Sequence, residues 1–172
     1  LWGLFELRPH MYHRSYFSTD GYHESGFTHI DNHFEWHNGL EIHTGINLTH
    51  EGVREPFEIN KGTFVQAGEY DHRESQLVFM TDRKKALSGS VKSFIGGFYG
   101  GDRVAVETKV NYRLGDSFTA ALTWSHNDIE LTPVPALDGN PPSAGDFQVN
   151  VVRLRVGYSF SPKILFQALV QS

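Results

Sequence analysis

Val104-Ala105-Val106-Glu107-Thr108-Lys109-Val110-Asn111-Tyr112-Arg113-Leu114 alternates, residue by residue, between apolar and polar side chains. A strand has a side-chain period of two, so Val104, Val106, Thr108, Val110, Tyr112 and Leu114 share one face. Ala105, Glu107, Lys109, Asn111 and Arg113 share the other. One face suits hydrocarbon and the other suits water. Versions of this dyad recur along the chain, at 1–16, 27–36, 40–50, 68–81, 87–99, 103–114, 118–131, 147–160 and 164–171. No stretch of comparable length carries a capped helical period. The sequence therefore predicts an all-β fold, an antiparallel up-and-down meander of about nine strands over residues 1–172, forming one β-barrel domain or a fragment of one.

The connections are of two kinds. Segments 18–26, 51–67 and 132–146 are long, whereas 37–39, 82–85, 115–117 and 161–163 are tight. In a meander, alternate connections lie at opposite ends, so the order places tight turns at one rim and long loops at the other, as in outer-membrane barrels. Gly100-Gly101-Asp102 is the short exception on the long-loop side. The pairs Thr132-Pro133-Val134-Pro135 and Asn140-Pro141-Pro142-Ser143 make a stiff, strand-incompatible loop suited to the outer rim.

Register sharpens the expectation. A three-residue turn at Gly115-Asp116-Ser117 sets Leu114 opposite Phe118, Tyr112 opposite Ala120, Val110 opposite Leu122 and Thr108 opposite Trp124. A two-residue turn would place Arg113 against Phe118 and invert every side chain of the partner strand. The same turn length pairs Phe160, Tyr158, Val156 and Leu154 with Ile164, Phe166, Ala168 and Val170, and pairs Trp36, Phe34 and Ile30 with Leu40, Ile42 and Ile46. Aromatic residues gather near these turns, at the level where barrel girdles meet the headgroups.

The 172-residue chain carries a net charge of −5, 17 Gly, 13% aromatic residues and no Cys. Without Cys there is neither a disulfide framework nor a thiolate site, and the dispersed Lys and Arg form no stripe for nucleic acid. Mean hydropathy is −0.38. No apolar run approaches the roughly 18 residues of a spanning helix, but a barrel strand needs only about 9 to 11 residues and hides alternate polar ones in the lumen. The opening Leu1-Trp2-Gly3 reads as that of an excised or processed piece.

An ordered set of motifs covers roughly the last two thirds of the chain. It runs Glu55-Pro56-Phe57-Glu58-Ile59, Gly68-Glu69-Tyr70, Ile95-Gly96-Gly97-Phe98-Tyr99-Gly100-Gly101, Asn127-Asp128-Ile129-Glu130-Leu131, Gly145-Asp146-Phe147, Tyr158-Ser159-Phe160-Ser161-Pro162 and Leu169-Val170-Gln171. This set resembles the C-terminal barrel-like domain of unknown function that follows a family-9-type carbohydrate-binding domain in bacterial envelope proteins. The resemblance implies an outer-membrane β-barrel and no particular activity. No carbohydrate-binding domain is present here, and the family pattern continues into more strands. The chain is accordingly expected to be part of a larger transmembrane barrel whose partners are outer-membrane lipid and the remaining strands or a partner chain, with no nucleic acid.

One constellation could carry chemistry. His29, Asp31, His33, Glu35 and His37 alternate along one strand and are followed by Glu41 and His43. Asn38-Gly39 between them signals a hairpin, which sets His33 opposite His43 and Glu35 opposite Glu41. Two imidazoles and two carboxylates could hold zinc or another borderline divalent ion. The leading reading of His33, His43, Glu35 and Glu41 is nevertheless a hydrated lumen wall with no resident cofactor, in which the facing glutamates share a proton, a cation or a nearby arginine. His10, His13, His23, His50 and His72 read as rim or lumen residues. Ser125-His126-Asn127 cannot form a relay, because neighbours on a strand point to opposite faces, and the chain has no Gly-x-Ser-x-Gly elbow. The run 95–101 lacks the Lys and helix of a phosphate loop and is expected to be a bend or bulge near the rim. Arg153, Arg155, Arg113, Lys109 and Glu107 read as charges bracing an inner wall. The function expected is thus structural, scaffold or transport. The alternatives are a soluble lipocalin-like ligand-binding barrel with an apolar interior, or a divalent-metal-dependent hydrolase built on the hairpin from His29 to His43.

Overall fold

Alternation of this kind can satisfy both faces only if strands pair side by side, and the computed structural model shows that arrangement. It describes residues 3–134, 143–161 and 163–172. The elements are β1 (Leu4–Phe17), β2 (His23–Trp36), β3 (Glu41–Val53), β4 (Phe57–Asn60), β5 (Thr63–Val65), β6 (Gly68–Met80), β7 (Leu87–Phe98), β8 (Gly101–Leu114), β9 (Phe118–Val134), β10 (Ser143–Ser161) and β11 (Ile164–Gln171). Nine of them form one antiparallel sheet in the order β1-β2-β3-β6-β7-β8-β9-β10-β11, and β4 pairs with β5 in a separate hairpin. The chain is all-β and its main sheet is an up-and-down meander. Among the described residues the sheet does not close: β1 pairs only with β2, and β11 only with β10.

The expected registers hold where the turn chemistry is strongest. Leu114 faces Phe118, Val110 faces Leu122 and Thr108 faces Trp124. Ile30 faces Ile46 and Phe34 faces Ile42. Gly39 supplies the left-handed residue of the β2–β3 turn, with φ of +79°, and its N–H donates to the Trp36 carbonyl at 2.9 Å. A side chain there would also collide with Asp82, whose Cβ stands 2.5 Å from the Cβ position.

Several connections differ from expectation. Residues 18–22, not 18–26, join β1 to β2, because Ser15, Tyr16 and Phe17 continue the ladder against Gly26, Ser25 and His23. Polar residues at a strand end looked like loop while remaining paired. The β7–β8 turn is Tyr99-Gly100, one residue earlier than Gly100-Gly101-Asp102, with positive φ at both positions (44° and 79°), as a two-residue hairpin turn of the favoured twist requires. At the β10–β11 turn Ser161 pairs with Ile164, so Phe160 does not face it and a bulge between Ser159 and Ser161 absorbs the slip; Tyr158, Val156 and Leu154 face Phe166, Ala168 and Val170 as expected. The segment 51–67 holds the β4–β5 hairpin, which lies along the rim: Phe57 meets the Tyr99 ring edge-on at 5.8 Å, and β5 touches β10. The expected loop 132–146 is shorter at both ends, because β9 runs on to Val134 and β10 opens at Ser143, which pairs with Val134, so 132–134 and 143–146 are strand despite Pro133. Residues 135–142 fall outside the described residues, as do Leu1, Trp2 and Pro162.

Gly96 marks where β7 leaves β6. The β6–β7 ladder ends at the pair Glu74 with Gly96, and no irregularity interrupts the β7–β8 ladder, so the expected bend is a parting of strands and not a bulge. Gly101 allows an equally close approach across the next interface, since a Cβ there would lie 1.9 Å from the Glu130 carbonyl oxygen. Gly101→Ala should therefore force β8 and β9 apart and lower stability by about 1–3 kcal/mol, as overpacking does. Gly89→Ala, whose Cβ would meet the Lys109 carbonyl oxygen at 3.4 Å, serves as the control. Urea unfolding of both variants in the same detergent checks this: a large loss for Gly101→Ala and little change for Gly89→Ala is the expected pattern.

Candidate functional site

The two faces of the sheet differ in kind. Cross-strand rows Met11–Ile30–Ile46, Leu77–Ser93–Val106 and Val110–Leu122–Leu154 run along one face. This face is exposed: Met11 is 71% accessible, Leu77 and Ile95 are 54%, and Ile46 is 52%. The opposite face holds the buried residues, and these are polar: Asp31, Asn47, His72, Glu74 and Ser88, beside the apolar Val78 and Ile129. Val65 and Leu131 complete the buried apolar set among the described residues, four in all, against thirty-one exposed large apolar side chains. The sheet is inside-out relative to a water-soluble protein, and its inner face is the polar one.

On this inner face the β2–β3 hairpin assembles the histidine cluster. His33 lies opposite His43 and Glu35 opposite Glu41, as expected. The His33 and His43 rings stack at 3.5 Å with 5° between their planes. The glutamates do not converge on them as a pair. Glu35 turns to Arg8, 3.5 Å away on β1, and Glu41 accepts from Arg83 at 3.1 Å while touching His43 Nε2 at 3.4 Å. Each carboxylate thus has its own guanidinium, which removes the like-charge conflict between facing residues.

The carboxylate at the centre is Asp31, which is 2% accessible. Its Oδ2 lies 3.2 Å from His33 Nε2, 3.4 Å from His29 Nε2 and 3.4 Å from the Gln76 amide nitrogen, which donates to it. Its Oδ1 has no hydrogen-bond partner. His29 Nδ1 is 2.6 Å from Asn47 Oδ1, and Asn47 in turn donates to Gln76 Oε1 at 3.4 Å. His10 stands edge-on to His33, with centroids 4.8 Å apart. The ligating atoms of Asp31, His33 and His43 lie within 4.8 Å of one another, as do those of His10, His29 and Asp31. Sequence reasoning placed Asp31 and His29 on this face but missed Asp31 as the hub, and it left His10 on the rim or lumen wall. A signal existed in Gly45, which faces Asp31: a Cβ there would lie 2.9 Å from the Ile30 carbonyl oxygen and 3.2 Å from the Asp31 side chain. A glycine inside a strand marks a close approach.

The rest of the inner face divides by charge. Glu74 accepts two bonds from Arg103, at 2.9 and 2.6 Å, and Lys92 stands 3.8 Å from Glu107. Further along, Arg83, Lys85, Lys109, Arg113 and Arg155 line an open hollow of about 370 Å³. Arg153 donates to Gln171 at 3.1 Å across the β10–β11 ladder. Ser125 and Asn127 lie on the inner face while His126, on the outer one, meets Asn150 Oδ1 at 2.9 Å, so these three do not form a relay.

At the long-loop rim, Asp20 of the β1–β2 turn accepts from Ser18 Oγ, from Arg54 at 2.8 Å and from the Tyr22 N–H at 3.2 Å. The Arg54 guanidinium covers the Tyr22 ring at 4.3 Å. The Ser18 hydroxyl, then Arg54, then the Tyr22 amide hold the Asp20 carboxyl well below the usual carboxylate range, and the same bond raises Arg54. In the neighbouring turn, burial first and the Glu51 carboxylate second push the Tyr99 hydroxyl up.

A depressed carboxylate stabilises the fold above its unfolded value and loses that contribution as pH falls through its folded one. The Asp20–Arg54 clip should therefore stay closed at about pH 4, where an ordinary Asp is half protonated, and open only in stronger acid. The Tyr22 amide resonance, followed from neutral to acid pH in detergent, should move only well below that point, and Asp20→Asn should abolish the transition. A midpoint near pH 4 would contradict the assignment. No family model, curated protein or solved structure matches the chain, so its functional reading rests on its own geometry.

Proposed function

We propose that this chain is a segment of a bacterial outer-membrane β-barrel, with a structural, scaffold or transport role, whose apolar outer face meets lipid and whose polar inner face meets water. The observation that carries this reading is the inverted distribution of side chains, with Asp31, Asn47, His72 and Glu74 buried while Leu77, Ile95, Val110 and Leu122 are exposed. The four buried apolar residues among the described residues make too small a core to offset the conformational entropy of ordering those residues in water. A lipocalin-like barrel with an apolar interior needs the opposite assignment of faces.

The height of the apolar band supports the same reading. Val104 to Leu114 on β8 spans ten residue steps, which at roughly 3.3 Å each and a tilt near 40° gives about 25 Å, the thickness of a barrel's lipid-facing belt. Above it, the outer face turns polar with His50 against Asp71 at 2.9 Å, and on β9 and β10 the polar stretch comes down to His126 and Asn150, level with Val106. At its lower end, aromatic pairs cluster beside the tight turns: Tyr112 with Phe118 at 6.3 Å and Tyr158 with Phe160 at 4.7 Å. They fit a girdle at headgroup level. The motif order that resembles the carbohydrate-binding-associated barrel domain is in keeping with this location.

The open edges of β1 and β11 complete the proposal. Unpaired backbone N–H and C=O groups each cost several kcal/mol in hydrocarbon, so the sheet needs further strands, from a larger barrel or a partner chain. Made alone, the chain should assemble through these edges, and a monodisperse folded monomer in detergent would argue against the segment reading. For the lipid face, Val110→Arg should lower folding stability in a bilayer by about 2–4 kcal/mol, while Lys109→Glu on the inner face should cost much less. Denaturant titration of vesicle-folded protein tests the pair. Equal costs, or a folded protein that stays in solution without lipid or detergent, would refute the membrane assignment.

A further inference from the structure

We propose that Asp31, His33 and His43, with His29 completing the set, bind a divalent transition-metal ion of the zinc class on the inner face of the β2–β3 hairpin. The site needs no lipid contact and so stands apart from the membrane reading.

Asp31 gives the first argument. It is almost wholly buried, yet its Oδ1 has no partner, and a buried carboxylate oxygen left bare costs more than a hydrogen bond returns. The residues nearest it are metal ligands by type: imidazoles at 3.2 and 3.4 Å from Oδ2, and a third, His43, stacked on the first. Arg8 and Arg83 serve Glu35 and Glu41 and leave Asp31 to the histidines.

His29 gives an independent argument. With Nδ1 2.6 Å from the Asn47 amide oxygen, the ring donates its Nδ1–H there, and its Nε2 is directed at the Asp31 carboxylate, 3.4 Å away. A metal-bound histidine shows this same pattern, one nitrogen on the ion and the other N–H held by an oxygen of the surrounding protein.

Geometry allows convergence. Two ligand atoms each about 2.0–2.2 Å from a tetrahedral ion stand roughly 3.4 Å apart. The ligand atoms of Asp31, His33 and His43 lie within 4.8 Å of one another, a spread that rotation of the stacked rings can close, while His29 reaches the set through Asp31 Oδ2 at 3.4 Å. Gly45 opposite Asp31 leaves the room, and a hollow of about 630 Å³ bordered by His29, His43, Asn47 and Gln76 gives an entry path. One carboxylate with imidazoles, in a chain with no Cys, favours Zn2+, Co2+, Ni2+ or Cu2+ over the oxygen-preferring Ca2+ and Mg2+. Bound there, the ion would join β2 to β3 through His33 and His43.

The test uses the full chain, folded in detergent and stripped with chelator, titrated with Zn2+ by calorimetry and with Co2+ by visible absorption. One ion per chain is expected, with the intense absorption of tetrahedral Co2+ and an increase in melting temperature with Zn2+. His33→Ala and Asp31→Asn should each weaken binding at least about tenfold, and His29→Gln should do so by about 10–100-fold if it is a ligand or a supporting residue. His126→Ala, on the outer face, should leave binding unchanged. Far-UV circular dichroism identifies any variant that fails to fold, and His43→Gln then replaces it. Absent binding, or equal binding by folded Asp31→Asn, His33→Ala and wild type, would overturn the site.

Discussion

The structure depends on one constraint: a strand alternates its side chains strictly, so nine paired strands cannot avoid making two continuous faces. In this chain one face is largely apolar and the other carries Asp31, Glu74, Lys92, Arg103 and Glu107. The polar face is the more enclosed. Once the apolar face is given to lipid, backbone satisfaction becomes compulsory, because hydrocarbon supplies no hydrogen bonds to an open strand edge. Among the described residues the antiparallel ladder leaves this unanswered along the outer edges of β1 and β11 and, beyond the Glu74–Gly96 pair, between β6 and β7. The two outer edges are the reason for reading the chain as a segment.

Much of this was legible in the sequence, because hairpin register follows from turn length and alternation together. Asn38-Gly39 and Gly115 fixed turns that placed Ile30 on Ile46 and Val110 on Leu122, and the same logic set His33 against His43. The errors arose where those signals weaken. His23 to Gly26 is polar enough to resemble loop, yet its backbone stays in the ladder. Among four candidate glycines and aromatics at the β7–β8 rim, composition cannot say that Tyr99 takes the left-handed conformation. A bulge such as that at Phe160 shifts register by one residue without any change in hydrophobic pattern.

The candidate site was half legible. Period two placed His29, Asp31 and His33 together, and the hairpin brought in His43. What the pattern could not show is which carboxylate turns inward to the rings. Glu35 and Glu41 have long side chains that reach arginines, Arg8 on β1 and Arg83 in the β6–β7 turn, and both partners lie far away in sequence. Asp31 is short, sits over Gly45 and remains with the imidazoles. His10 joins through β1, whose register against β2 no tight turn announces. The wall therefore has three sectors: a histidine-rich one around Asp31, a paired one around Glu74 and Arg103, and a basic one around Arg113 and Arg155.

The central claim is that the apolar face meets lipid and the charged face meets water. Nitroxide labels placed singly at consecutive positions 103–114 on β8, in protein reconstituted into vesicles, measure it most directly. Accessibility to molecular oxygen and to a polar nickel complex should oscillate in antiphase with a period of two, oxygen highest at Val104, Val106, Val110 and Tyr112 and nickel highest at Ala105, Glu107 and Lys109. A uniform profile, or one in which the apolar positions are reached by the nickel complex, would contradict it.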